Sequence, residues 1–325
     1  MVERRSFLKK LMGTALLAAV PLPAFAAGKP KEPEAAPLFS DTRLMMGTFV
    51  SITVSGAEEG RANEAMHRAF SAMAHAEALL TRFSASSALG QLNGAGSLND
   101  IPQELAHVVK TAALIHAQTG GAFDPTVLPV LEVLESRNVQ RAELEEAREL
   151  IGMGRVRMDS RSIRFERDGM RMSLDAIAKG HIADIAAQSL LSSGLGDFLV
   201  NAGGDIVAHG SKAGRPWRVA IENPGRYEGR TAYPAVCSLS GKAMATSGNY
   251  ESAGRGFRHL IDPLGRDVSA PLSATVVAPT AMEADALATA LCVMPDPIAF
   301  IEARPHTACC LVTAEGVRCS SRWIS

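Results

Sequence analysis

The sequence predicts an α+β fold in which mixed sheets pack against helices, as a single large domain of two intimate lobes. Segments rich in β-branched residues and segments with helically spaced apolar residues are both present, but they do not alternate regularly along the chain. The chain has 325 residues, 47% of them hydrophobic, which is enough to bury a core without disulfide staples. No G-x-G-x-x-G follows a predicted strand, so a doubly wound dinucleotide-binding fold is not indicated.

The chain begins with an export address. Arg4 and Arg5 are followed by Phe-Leu-Lys, an apolar run and an Ala-x-Ala pattern that ends at Ala26. This order is typical of a signal peptide, and paired arginines indicate the twin-arginine route. The apolar run is shorter than the roughly 20 residues that a membrane-spanning helix needs. We therefore predict a periplasmic protein without stable membrane insertion after cleavage. Its predicted parts are a twin-arginine signal peptide at 1–26, a flexible lead-in at 27–41 and the folded domain at 42–325.

Residue patterns predict the elements of the folded domain in chain order. Strands are expected where β-branched and aromatic residues cluster, at 44–54, 163–165, 170–174, 198–202, 217–221, 235–239, 257–261, 273–277 and 308–312. Helices are expected where apolar residues recur every three or four positions, at 63–80, 102–119, 141–150, 178–191 and 281–293. The strands at 163–165 and 170–174 are expected to pair as a hairpin around Arg167-Asp168-Gly169, and Gly203-Gly204-Asp205 is expected to form a tight turn.

Composition and motifs exclude several classes of protein. A net charge of −1 and only 5% aromatic residues do not favour nucleic acid as a partner. Five cysteines without a C-x-x-C spacing argue against a disulfide scaffold or a structural zinc site, although an oxidising compartment is compatible with one disulfide, for example through Cys319. A P-loop, an H-E-x-x-H motif and a G-x-S-x-G elbow are all absent from the sequence.

Two segments carry chemistry that the residues themselves indicate. Asp285 and Thr289 are four apart on a predicted helix, so a carboxylate and a hydroxyl share one face and form an oxygen pair that suits magnesium. The alternative is a surface aspartate beside a threonine that bonds within its helix. The segment 176–180 lies where a predicted strand gives way to a helix, and free N–H groups there would favour phosphate, with Lys179 adding positive charge. The alternative for Lys179 is a solvated side chain.

Short segments in a fixed order resemble the ApbE family, the FAD:protein FMN transferases. The resemblance extends from about Met46 to Thr289, nearly all of the folded domain. The segments are Met-Gly-Thr-Phe at 46–49, Thr-Arg-Phe-Ser at 81–84, Thr-Gly-Gly-Ala-Phe-Asp-Pro-Thr at 119–126, Asp-Ala-Ile-Ala-Lys-Gly at 175–180, Val-Asn-Ala-Gly-Gly-Asp at 200–205, His-Leu-Ile-Asp-Pro at 259–263 and Met-Glu-Ala-Asp-Ala-Leu-Ala-Thr at 282–289.

The resemblance implies a role for individual residues. The metal ligands would be Asp285, Thr289 and the carbonyl of Ala176, and His259 would be the general base, with Asp262 orienting its imidazole or helping to hold the metal. Where the family usually has a flavin-contacting aspartate, this chain has Ser173, and Asp175 follows two positions later; either Asp175 takes over that contact or the contact is lost. The remaining implied FAD contacts are Met46, Phe83, Ala122, Phe123, Asp124, Lys179 and Ile261.

The implied activity is the Mg²⁺-dependent transfer of FMN from FAD to a Thr or Ser hydroxyl of a partner flavoprotein, with release of AMP. The implied partner is an acceptor flavoprotein subunit of a membrane redox complex. Two alternatives keep the same site. With water as the acceptor the protein would be an FAD pyrophosphatase, and without turnover it would be a non-catalytic FAD carrier or assembly factor for an exported redox complex.

Overall fold

The computed structural model describes residues 36–136, 139–223, 233–248, 260–266 and 271–324. Within these ranges the helices are α1 (Glu59–Leu80), α2 (Ala88–Ala95), α3 (Gln103–Gln118), α4 (Leu128–Glu135), α5 (Arg141–Glu149), α6 (Ala178–Ser192), α7 (Ala281–Leu291) and α8 (Pro297–Glu302). The strands are β1 (Leu38–Met45), β2 (Thr48–Ser55), β3 (Ser97–Asn99), β4 (Val156–Met158), β5 (Ser162–Phe165), β6 (Phe198–Ala202), β7 (Asp205–His209), β8 (Trp217–Ala220), β9 (Val236–Leu239), β10 (Lys242–Gly248), β11 (Ser273–Ala278), β12 (Ala308–Thr313) and β13 (Gly316–Cys319).

An antiparallel sheet of eight strands, in the order β1-β2-β6-β7-β10-β11-β12-β13, organises the domain. Helices α1, α6 and α7 pack on one face and share the main hydrophobic core with it. On the other face, Ile206 and Ala208 of β7 pack with Trp217 and Leu239 from the β8–β9 ribbon. Because side chains alternate along a strand, Asp205 and Val207 of β7 face the helices. The α+β fold class is confirmed, and the described residues from Ala36 onwards belong to one compact unit.

The first strand prediction, 44–54, covers a hairpin rather than one strand. β1 and β2 pair in register up to Met45 and Thr48. The two residues between them, Met46 and Gly47, have φ angles of +50° and +73°, as in the two-residue turns that match the twist of a hairpin. The N–H of Met46 donates to Glu77 Oε1 (2.9 Å), which fixes the turn against α1. β1 begins at Leu38, so it includes the last four residues of the predicted lead-in.

The five predicted helices are present, with ends that differ by a few residues. α1 begins at Glu59, earlier than predicted, because the Glu58 carboxylate accepts the N–H groups of Gly60 and Arg61. Three short helices, α2, α4 and α8, were not predicted. They have six to eight residues each, too few for an apolar repeat to be recognised.

The predicted hairpin of 163–165 with 170–174 is wrong. β5 pairs instead with β3 and β4. The backbone of Met172 exchanges two hydrogen bonds with the side-chain amide of Asn93 (both 2.8 Å), and the N–H of Ser173 donates to the Pro125 carbonyl (2.8 Å). These backbone groups are therefore satisfied without a partner strand.

Three other expectations concern the cysteines, the strand at 257–261 and the signal peptide. A disulfide joins Cys310 of β12 to Cys319 of β13, while Cys237, Cys292 and Cys309 are buried thiols. Of the strand predicted at 257–261, only the last two residues are described, and neither is in a strand. The predicted signal peptide lies outside the described residues. No helix among the described residues is long and apolar enough to cross a membrane.

Candidate active site

The candidate site lies where the first turns of α6 and α7 pack against each other. A Cβ atom on Gly180 would lie 2.2 Å from the Ala281 carbonyl oxygen, so only glycine allows this approach. Two carboxylates bridge the helix starts. Asp184 of α6 accepts the N–H groups of Ala281 (2.8 Å) and Met282 (2.9 Å), and Asp285 Oδ2 accepts the N–H of Gly180 (3.1 Å). A carboxylate is stabilised at a helix N-terminus. Asp184 of α6 provides this carboxylate at the start of α7, and Asp285 of α7 provides it at the start of α6.

This arrangement corrects the expectation of free N–H groups at 176–180. The N–H of Gly180 is taken by Asp285, and the N–H of Ala178 donates to the Leu174 carbonyl (2.7 Å). The segment before α6 is also a turn at 175–177 that follows irregular chain, rather than the end of a strand. Phosphate would therefore be attracted by Lys179 and a cation more than by open helix N–H groups.

The predicted metal ligands offer a set of oxygen atoms. Asp285 is only 3% exposed, and Thr289 lies one turn further along α7, with its hydroxyl 3.1 Å from the Ser247 hydroxyl of β10. Ala176 lies in the turn that leads to Gly180. In the described part of the chain, no three His, Cys, Asp or Glu side chains are arranged to hold a metal. A carboxylate, a hydroxyl and a backbone carbonyl fit magnesium, which keeps waters and takes phosphate oxygens for its other positions.

Lys179 and Asp205 form an ion pair beside these oxygens. The Lys179 ammonium lies 3.6 Å from Asp205 Oδ2 and donates to the Asp175 carbonyl (3.3 Å). Asp205 begins β7 directly after the Gly203-Gly204 turn, where the Asn201 side chain accepts the N–H of Gly204 (2.9 Å). The sequence leaves 201–205 open between a structural turn and a part of the site, and it does not assign a role to Asp205.

Burial and mutual repulsion dominate the electrostatics of this cluster. Burial, together with the Asp285 charge, raises the pKa of Asp205, although Lys179 opposes this rise. Burial also raises the pKa of Asp285, against the opposing effects of Lys179 and the Gly180 N–H. The charges of Asp205 and then Asp285 raise the pKa of Lys179, which stays protonated. One ammonium thus faces two buried carboxylates, and an added cation would stabilise their ionised forms.

A second group of predicted residues adjoins Lys179. Phe83 is 77% exposed, and the Arg82 guanidinium lies 4.2 Å from the centre of its ring. Arg82 Nε donates to Asp175 Oδ2 (2.7 Å). Ser173 is buried, and its hydroxyl accepts the N–H of Asp175 (3.1 Å). Asp175 therefore offers an accessible carboxylate that could take over the contact, although Arg82 pairs with it, whereas the Ser173 hydroxyl is engaged inside the protein. The sequence indicates no role for Arg82.

The loop at 122–124 is buried and braced. The Asp124 carboxylate accepts the N–H (2.8 Å) and hydroxyl (2.5 Å) of Thr126 and the N–H of Met153 (3.1 Å). His116 Nδ1 lies 2.9 Å from the Phe123 carbonyl and 3.3 Å from Asp124 Oδ2. The Asp124 side chain is thus engaged within the protein, and the loop is held rigid beside Ser173 through the Pro125 carbonyl.

The predicted catalytic pair is only partly described. His259 lies outside the described residues. The Asp262 carboxylate accepts the N–H groups of Leu264 (3.2 Å) and Arg266 (2.7 Å) and pairs with the Arg266 guanidinium (2.7 and 3.0 Å). Although burial alone would raise the pKa of Asp262, the Arg266 hydrogen bonds hold it below its ordinary value. Asp262 therefore fixes a turn, and the half-buried Ile261 precedes it.

Comparison with known proteins places this site in a family. The model of the ApbE family matches residues 46–311. The FAD:protein FMN transferase of Escherichia coli strain K12 is 31% identical over 292 aligned residues, which cover 83% of each chain. The chain belongs to the ApbE family. The flavin transferase ApbE of Vibrio cholerae is 26% identical with a TM-score of 0.76, over 88% of this chain and 98% of that one. The apo flavinyl transferase ApbE of Pseudomonas stutzeri, 22% identical with a TM-score of 0.77 over 89% and 97%, is alike in fold.

In this ApbE-family chain, contacts connect many of the predicted site residues. One series runs from Phe83 through Arg82 and Asp175 to Lys179. The two helix starts connect Lys179 to Asp285 and, one turn on, to Thr289. Met46 lies at the hairpin tip, where its N–H donates to Glu77 of α1, a contact outside this series. Asp205, Asp184 and Ser247 belong to the cluster but were not predicted.

Proposed function

We propose that this chain transfers FMN from FAD to a Thr or Ser hydroxyl of a partner protein and releases AMP. The observation that carries the proposal is the cluster of half-buried Lys179 with buried Asp205 and Asp285 at the contact of two helix starts, beside the hydroxyl of Thr289. Such a cluster suits a pyrophosphate with a bound divalent cation. Membership of the ApbE family and the similarity to curated FAD:protein FMN transferases support the same activity.

Individual residues of this chain would hold the metal ion, attract the pyrophosphate and contact the flavin ring. Asp285, Thr289 and the Ala176 carbonyl would hold Mg²⁺, which when bound offsets negative charge on the pyrophosphate. The Lys179 ammonium would attract the same phosphates through its positive charge. The exposed ring of Phe83 provides a flat apolar surface for the isoalloxazine ring.

The transfer requires no reactant other than FAD and the acceptor hydroxyl. The acceptor hydroxyl oxygen forms a bond to the FMN phosphorus, and the bond from that phosphorus to the bridging oxygen breaks. AMP leaves with the bridging oxygen. His259 accepts the hydroxyl proton, because an alcohol is a poor nucleophile while protonated.

The proposal extends to where this happens. The paired arginines of the leader support export through the twin-arginine route and a periplasmic location. We expect the acceptor to be a flavoprotein subunit of a membrane redox complex that faces this compartment.

Mass measurement tests the activity. The purified chain is incubated with FAD, MgCl₂ and a candidate acceptor domain, and the acceptor is weighed by intact-mass spectrometry. We expect a gain of one FMN unit that disappears with EDTA or when the acceptor Thr is changed to Ala. Release of FMN and AMP without an acceptor gain would indicate a pyrophosphatase, and tight FAD binding without turnover would indicate a carrier.

A further inference from the structure

Asp205 is a buried carboxylate with one poorly compensated oxygen. It is 3% exposed, and its Oδ2 atom receives no hydrogen bond from the residues that the structure describes. Its only ion pair within the described residues is with Lys179 at 3.6 Å, longer than a charge-assisted hydrogen bond. A buried, poorly satisfied carboxylate costs stability, so its presence calls for a reason other than folding.

The position of Lys179 suggests that reason. Lys179 immediately precedes Gly180, whose N–H donates to Asp285, so the lysine backbone lies next to the predicted metal ligand. Despite this position, the Lys179 ammonium pairs with Asp205 on β7, and the Asp175 carbonyl helps to hold it there. Both carboxylates stabilise the charged ammonium, and Asp205 has the stronger effect.

We propose that Asp205 is a positioning residue that draws the Lys179 ammonium away from Asp285 and so keeps Asp285 free to bind a divalent cation. The inference rests on the proposed function only in taking Asp285 as a cation ligand. Without Asp205, Asp285 is the buried carboxylate left to pair with Lys179, because the exposed Asp175 carboxylate already pairs with Arg82. That internal ion pair competes with the cation for the same oxygens.

Direct binding of Mn²⁺ as a probe for Mg²⁺, followed by electron paramagnetic resonance, tests the inference on the full chain without FAD or acceptor. We expect D205N to weaken Mn²⁺ binding about 10-fold or more, the size of effect that outer residues have on metal sites. In a K179M background the same change should weaken binding by no more than about threefold, because the competing ammonium is gone. Glu64→Gln, which removes one charge from the exposed surface of α1, should bind Mn²⁺ as the wild type does.

Several results would overturn the inference. An equal effect of D205N in both backgrounds would mean that Asp205 acts on the cation directly rather than through Lys179. Unchanged binding by D205N, or no Mn²⁺ binding by the wild type with or without FAD, would also contradict it. If D205N lowers the melting temperature, the residue is structural, since removal of an unsatisfied buried charge should leave the melting temperature unchanged or raise it. Failure of the proposed function is separate, because a chain that binds Mn²⁺ as expected but transfers no FMN refutes only the transferase activity.

Discussion

Substitution of Gly180 by alanine should destabilise the protein, although alanine is the better helix former. The new Cβ would lie 2.2 Å from the Ala281 oxygen and 2.8 Å from the Met282 nitrogen. These are backbone atoms that cannot rotate away, so the helix starts would have to separate by about 1 Å to restore normal contact. The two Asp184 bonds of 2.8 and 2.9 Å and the Asp285 bond of 3.1 Å would then stretch beyond useful length.

The expected magnitude follows from these changes. Overpacking costs about 1–3 kcal/mol, and weakened hydrogen bonds to carboxylates cost about 1.5–3 kcal/mol. Helix propensity returns about 1 kcal/mol, which leaves a net loss of about 1.5–5 kcal/mol in the free energy of unfolding. For a domain of this size, the melting temperature should fall by about 3–8 °C.

Thermal and urea unfolding followed by circular dichroism measure this loss. The matched control is Gly94→Ala, also in a helix, where the new Cβ meets no atom within 4 Å. That variant should be unchanged or more stable by up to about 1 kcal/mol. If Gly180→Ala behaves like the control and keeps its Mn²⁺ affinity, the helix starts are not in tight contact, and our account of how Asp285 is positioned fails.

Two further predictions concern the ionisable side chains of Asp285 and His181. Asp285→Ala should reduce FMN transfer by about 100-fold or more while weakening FAD binding, measured by flavin fluorescence, by less than about tenfold; retained transfer would remove Asp285 from the site. His181 is 8% exposed, and burial, together with the adjacent ring of His107, lowers its pKa to about 4 while Glu104 opposes this. Because the unfolded chain binds a proton that the folded chain does not, stability should fall as the pH drops from 6.5 towards 4, with a His181 contribution of about 2 kcal/mol between pH 7 and 5. His181→Gln should remove that part of the loss in urea unfolding at the two pH values, and an unchanged pH dependence would contradict the assignment.

Local sequence patterns predicted much of the fold, and the elements that they missed have identifiable physical causes. Long helices such as α1 were predicted because 22 residues contain several apolar repeats, whereas the six residues of α8 do not. The hairpin at 163–174 was wrong because strand-like residues around Met172 found their hydrogen-bond partners in the Asn93 side chain, which lies far away in sequence. A single side-chain partner that is distant in sequence produces no residue periodicity from which the contact could be predicted.

The candidate site shows the same contrast between patterns within one element and contacts between distant elements. Asp285 and Thr289 were predictable because their spacing of four places both on one helical face, so a single local pattern contains the pair. Asp205 was not, because it follows a glycine turn and resembles a turn aspartate. Its importance comes from burial against Lys179, which requires β7 and α6 to be placed together. The sequence therefore identifies groups that act within one element and misses those that act between elements.

The two helix starts also explain why segments about one hundred residues apart behave as one unit. On α6, Gly180 and Asp184 are four residues apart, and on α7 Ala281 and Asp285 are four apart, so each pair lies on one face of its helix. The Asp184 carboxylate reaches the N–H of Ala281, and the Asp285 carboxylate reaches the N–H of Gly180. Each helix thus fixes the other at two points one turn apart, which sets both the distance and the rotation between them. A change at any one of these four residues should disturb the position of Asp285, even where the residue itself never contacts a phosphate or a cation.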